Sequence, residues 1–215
     1  MSAILVLLRD RRGASAAEFA LLLPLFLLFL FGIIDAGRYA WDFNRAEKAT
    51  QIGARWVAAT QVIPGGSASD GLLNYSFAVS GGVTQGTVVN STAFPGVFCQ
   101  TSSGPSPAVG CTCKGTCAFG VAIDTTAQTA WDALVARMGG IYPGLTADNV
   151  RIDYDWSGIG FSGDPNGADV APLVTVSLRD AEFSPLTTML FGIDLPIPSA
   201  SYTLTMEDGQ GTESN

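Results

Sequence analysis

A run of apolar residues near the start of the chain constrains the fold more than any other feature. From Ala20 to Ile34 no polar side chain occurs, and counting back to Ala14 gives 21 residues. As a helix rising about 1.5 Å per residue this is about 31 Å, which matches a hydrocarbon core about 30 Å thick. One membrane span is expected. Within it stands a carboxylate, Glu18, and an ionised carboxylate in hydrocarbon costs about 3 kcal/mol on insertion scales. A span that keeps such a group is expected to supply it with a partner.

The flanking charges orient the span. Arg9, Arg11 and Arg12 precede it with a single acid, Asp10, whereas the chain from Val57 onward holds 14 acids and only four bases, Lys114, Arg137, Arg151 and Arg179. The positive-inside bias places the N-terminus in the cytoplasm and the remainder outside. So acidic a region is not attracted to nucleic acid or to anionic headgroups, and neither is an expected partner.

Cys99, Cys111, Cys113 and Cys117 all lie in the part expected outside, within 19 residues. An oxidising compartment makes two disulfides of them. Composition does not fix the pairing, although the Gly-containing turn of "CKGTC" favours Cys99 with Cys111 and Cys113 with Cys117. Zinc held by four thiolates is the competing reading. It is weakened by the lack of paired CxxC knuckles and of any histidine.

The periodicity predicts one helix from about Ala14 to about Ala59. Beyond the span, Phe43, Ala46, Ala49, Ile52, Gly53, Trp56 and Val57 recur at helical steps, while Asp42, Arg45, Lys48 and Arg55 fall on other faces. Such a helix is apolar all round below and amphipathic above, as suits a helix leaving a membrane to lie on a globular head. Pro24 lacks an amide hydrogen and is expected to kink or loosen it, and "PGGSASDG" from Pro64 to end it. Further on, "LNYSFAV" and "GTVVN" read as short strands, and the stretch from Phe98 to Cys117 as a stapled loop. Asp124 caps a second helix with a stripe of Ala127, Ala130, Trp131, Leu134, Val135 and Met138, stopped by Gly139. "VRIDYDW" alternates as a half-buried strand does, and "PLVTVSLR" and "ASYTLTM" resemble it. The expected fold class is α+β: a long N-terminal helix whose lower half spans the membrane, carrying a small antiparallel-sheet head with one internal helix. The expected divisions are a leader at 1–13, the stalk helix at 14–60, the head at 61–206 and a flexible acidic tail at 207–215.

The order of the first segment is unlike that of a secretory signal, because the small residues "GASAA" come before the apolar core. If the chain is cut between Gly13 and Ala14, a new α-amino group sits at the first residue and Glu18 at the fifth, one helical turn apart on one face. The two groups pair within a chain, or between chains whose apolar helices pack side by side. In the second case the pair selects axial register, since an unpartnered carboxylate in a low-dielectric bundle is costly.

"GASAAEF", a glycine followed by four residues, a glutamate and an aromatic, resembles the processing motif of type IVb prepilins of the Flp or tight-adherence class. The longer stretch "RRGASAAEFALLLPLFLLFLFGIIDAGRYAWDFNRAEKATQIGAR" resembles the TadE family of pseudopilins, including Pro24 in the span and "GIIDAGR" at its outer end. Asp35 stands where relatives often have Glu. The head resembles the family only in its ending, a strand, "FSP", a short helix and a strand. The resemblance implies that a prepilin peptidase of the inner membrane cuts after Gly13, with Ala14, Glu18 and Phe19 completing the recognised motif. It further implies that the product, a minor pilin or pseudopilin with its head in the periplasm, primes, caps or regulates assembly of an adhesive Tad pilus with other pilins and the Tad machinery. Glu18 and Pro24 are the expected assembly residues. The alternative is a signal-anchored periplasmic domain that binds a ligand or a surface and never assembles.

No enzyme and no cofactor is expected. The lack of histidine removes Ser-His-Asp and Cys-His arrangements and most zinc hydrolase sites. Asp153 and Asp155 share one face of a strand, as paired catalytic carboxylates could, but Tyr154 and Trp156 opposite them mark the solvated side of an amphipathic strand. "DPNGAD", with Asp164, Asn166 and Asp169, lacks the spacing and distal Glu of an EF-hand and reads as a polar turn.

Overall fold

The computed structural model describes residues 14–102, 108–165, 167–189 and 192–206. The expected leader and tail, and Gly13 with them, lie outside the described residues. Helix α1, Ala14–Ala59, runs for 46 residues with Pro24 inside it. It ends before Pro64, as Thr60 turns its hydroxyl back to the carbonyl of Trp56. The chain forms two compact units, Met1–Trp41 with Glu182–Leu195, and Asp42–Ala181 with Pro196–Asn215.

The larger unit is built on a five-stranded antiparallel sheet in the order β2-β1-β3-β4-β7. Its strands are β1 (Val97–Thr101), β2 (Val109–Cys113), β3 (Val150–Asp155), β4 (Leu173–Leu178) and β7 (Ala200–Thr205). The alternation in β3 and β4 buries Val150, Ile152 and Tyr154 beside Val174, Val176 and Leu178. Register aligns Cys99, Ile152, Val176 and Tyr202 in one cross-strand row, so each row adds neighbouring side-chain contacts on one face. The opposite face is ionic. Lys114 bridges Asp153 and Asp155 at 2.8 and 2.7 Å, and Arg151 meets Asp153 at 2.8 Å while stacking over Phe98. Burial alone would raise the Asp153 pKa, but hydrogen bonds from Arg151 and Lys114 outweigh it and hold the group below the carboxylate range. Asp153 is therefore held as the charged partner of the two cations.

Helix α2, Thr125–Ile141, packs on the upper half of α1. It buries Ala127, Trp131, Leu134 and Met138, and Ala130 and Val135 of the expected stripe stay at its margins. On α1 the buried line is Ala46, Ala49, Ala54 and Val57 with Gly53 among them. Gly53 lets the helices approach, since a Cβ there would meet Met138 Sδ at 2.7 Å. Arg137 stacks on Trp56, and Arg45 Nε donates to the carbonyl of Ile141 at 2.8 Å. That bond, with Pro143 following, explains why Gly139 does not end α2. The helix continues to Ile141 and stops at Tyr142, held extended ahead of the proline.

Three other expectations are corrected. "LNYSFAV" and "GTVVN" are turns and loops. Their backbone is satisfied by a few scattered long-range bonds, among them Phe77 N–H to Asp169 at 2.6 Å, and Gly86 N–H to the Ser162 carbonyl with Ser162 N–H returned to the Thr87 carbonyl, both at 2.8 Å. An aromatic cluster of Tyr75, Phe77, Phe94 and Phe119 fixes the first of them. The cysteine-rich stretch holds a hairpin, β1 paired with β2. Trp156 lies beyond β3, 43% exposed, and its ring N–H donates to the Val89 carbonyl.

Asp124 is the N-cap of α2. Its carboxylate accepts from the N–H of Ala127 and from the hydroxyl and N–H of Ser67, and these bonds lower its pKa from 3.8 to about 2. A depressed folded-state pKa gives stability that is present above the unfolded value and lost as pH falls through the folded one. The stability of the detergent-solubilised chain against unfolding is thus expected to fall between about pH 4 and about pH 2, with Asp124→Asn flattening that part of the curve. An unchanged acid limb in Asp124→Asn would show that this cap does not contribute.

Candidate functional site

Two carboxylates on the smaller unit's helix define the site. The lower half of α1 begins at Ala14, whose backbone opens the helix, and from Ser15 to Ile34 every side chain is exposed. Its most apolar window has a mean hydropathy of 2.5, enough in length and composition for a membrane span. Glu18 is one turn in from Ala14, exposed, with no ion pair or hydrogen bond among the described residues. Phe19 beside it is 65% exposed. Pro24 falls within the unbroken helix, so its absent amide hydrogen is tolerated there. Glu18 and Pro24 are thus on one helix, and Gly13 lies immediately before the first described residue. The side chain of Ala14 is outside the described set.

The second carboxylate, Asp35, follows the last apolar residue of the run and is 6% exposed. The segment that buries it comes from the far end of the chain. Its oxygens accept from Leu186 N–H at 2.8 Å, Thr187 N–H at 2.9 Å and the Thr187 hydroxyl at 2.9 Å, with Arg38 at 3.2 Å. One turn on, Tyr39 packs edge-on to Phe183 and Arg38 lies over the same ring. The short strands β5 (Glu182–Phe183) and β6 (Leu195–Pro196) bracket this segment. The carboxylate acts here as a cap does, gathering two consecutive backbone N–H groups and a hydroxyl. The sequence marks Asp35 as part of "GIIDAGR" and not as a clamp. Its available signal was an acid at the end of an apolar run with Arg at i+3, since its main partners are backbone groups.

The cysteines stand apart from this helix. Cys99 is bonded to Cys111 across the β1–β2 hairpin and Cys113 to Cys117 across the turn that follows β2, so all four sulfurs are engaged in disulfides. No metal-binding group of three or more His, Cys, Asp or Glu occurs among the described residues. In "DPNGAD" the Asp169 carboxylate is engaged by the N–H groups of Phe77 and Asp164, and Asn166 lies outside the described residues.

Residues 13–55 match the family model of TadE-like protein. The match begins at the glycine before α1 and stays within that helix, leaving the head outside it. No curated protein and no solved structure matches the chain.

Proposed function

We propose, from the TadE-like character of residues 13–55, that the protein is a minor pilin or pseudopilin that acts in assembly of a Tad pilus by priming, capping or regulation. The observation that carries this reading is a helix that starts at Ala14, directly after Gly13, with Glu18 one turn in and a fully exposed apolar surface above it. Cleavage after Gly13 by a prepilin peptidase frees an ammonium at Ala14. In a bundle of such helices that ammonium meets the Glu18 carboxylate of a neighbour, and the charge-assisted pair fixes how far one subunit rises against the next. The exposed apolar surface then exchanges lipid for other helices, so assembly proceeds by packing and charge pairing without a chemical step.

The position proposed is a single pass through the inner membrane, N-terminus in the cytoplasm and head in the periplasm. The basic residues before α1 and the acidic balance after it support that orientation. N-terminal sequencing of membrane-fraction protein is expected to begin Ala-Ser-Ala-Ala-Glu in cells with the peptidase, and Gly13→Leu to leave the leader attached, because a bulky side chain beside the scissile bond blocks close backbone approach. An intact Met1 chain in those cells would instead favour the anchored binding domain.

A further inference from the structure

From β5 to β6 the segment clamped by Asp35 contains no base, and its described residues expose large apolar side chains: Leu186 at 42%, Met189 at 72%, Ile193 at 52% and, in β6, Leu195 at 44%. An isolated exposed apolar residue needs no explanation, but several within ten residues of one short loop mark a contact surface. We propose that this tip is a second membrane contact, a monotopic wedge that seats in the interfacial layer of the lipid leaflet around the outer end of α1. The proposal rests on α1 spanning the bilayer.

The level of the tip is what selects lipid as its partner. Asp35 directly follows Ile34, the end of the apolar run, and its bonds to Leu186 and Thr187 hold the loop at that height on the helix. Counting down from Ile34, about 20 residues cross a core about 30 Å thick. The tip therefore lies where hydrocarbon gives way to headgroups. Above it on the same helix stands Trp41, 65% exposed, the kind of residue that marks the membrane interface. The two acids of the segment do not oppose this placement. Asp194 accepts from the Ser184 hydroxyl at 2.5 Å, and Glu182 stands at the start of the segment, in β5. With no base to meet phosphate, the contact is apolar and does not depend on salt.

The four native cysteines are paired, so one introduced thiol takes a polarity-sensitive fluorophore selectively. The test is Met189→Cys, labelled in the full chain, reconstituted at high dilution into vesicles of phosphatidylethanolamine and phosphatidylcholine, and read against a headgroup-proximal spin-labelled lipid and aqueous iodide. The expected result is strong quenching by the lipid label and iodide quenching reduced several-fold relative to the urea-unfolded chain, both unchanged in high salt. Asp35→Ala should return the Met189 label to iodide while leaving a label at Leu25→Cys in the span as it was. Free access of iodide to Met189 in the parent chain would overturn the wedge, and so would shielding from both quenchers, which would mean that protein covers the tip. Free access of iodide to the label at Leu25 would instead overturn the span. Unchanged Met189 quenching in Asp35→Ala would overturn the clamp as what holds the wedge.

Discussion

Glu18→Gln is expected to leave the protein in the membrane at normal abundance and to remove pili from the cell surface. Glutamine keeps the shape of the side chain and its capacity to accept a hydrogen bond, but lacks the charge that an ammonium seeks. Insertion should not suffer and should improve slightly, because the cost of about 3 kcal/mol for a carboxylate in the span disappears. Assembly depends on the pair repeating between subunits. Breaking a buried ion pair by removing one partner costs about 3 to 5 kcal/mol, since the other charge is left uncompensated. Glu18→Ala should behave in the same way. If the carboxylate served only the macrodipole of α1, the loss would be under about 1 kcal/mol and pilus output would hold. Pili counted by microscopy and surface adherence, at matched membrane abundance, separate the two. Normal pili with both substitutions would defeat the register role.

The paired substitution of Cys99 and Cys111 by alanine is expected to destabilise the head by about 3 kcal/mol from lost chain restraint alone, for a bridge of sequence separation 12. Cys99 is fully buried in the middle of the sheet, opposite Ile152 of β3 and Cys111 of β2. Loss of its sulfur also leaves a gap in the core row, which adds to the cost. Removing Cys113–Cys117, of sequence separation 4, should cost less, about 2 kcal/mol. Urea unfolding of the detergent-solubilised chain measures both. Equal losses from the two pairs would refute the account by loop length and burial.

The parts of this fold that were legible in the sequence are those whose own side chains carry the pattern. An unbroken apolar run and helical spacing fix α1, and alternation of Val, Ile and Tyr with charged residues fixes β3. The hairpin of β1 and β2 was hidden because "VGCTC" presents Gly, Thr and Cys where a strand signal needs bulk, and the cysteines suggested a loop held by staples. "LNYSFAV" failed in the opposite sense: its aromatics are buried among each other, and its backbone finds isolated partners in place of a ladder. The glycines at 139 and 140 were overridden by a tertiary bond from Arg45. At the site, Glu18 was visible because a charge in an apolar run is conspicuous. The Asp35 clamp was not, since its main partners are backbone N–H groups 151 and 152 residues away, and such groups leave no mark on composition.

The spacing of the cysteines also bears on the order in which the head is oxidised. Four thiols allow three pairings. Cys113 and Cys117 close the shorter of the two native loops, and ring closure is faster and entropically cheaper for shorter flexible segments. On β2 the extended chain sets Cys111 and Cys113 about 6.6 Å apart at Cα, near the far limit that a disulfide spans. Once Cys113–Cys117 has formed, Cys99 and Cys111 have only each other. With the small bridge closed, only the native pairing of the remaining two thiols is open to the head.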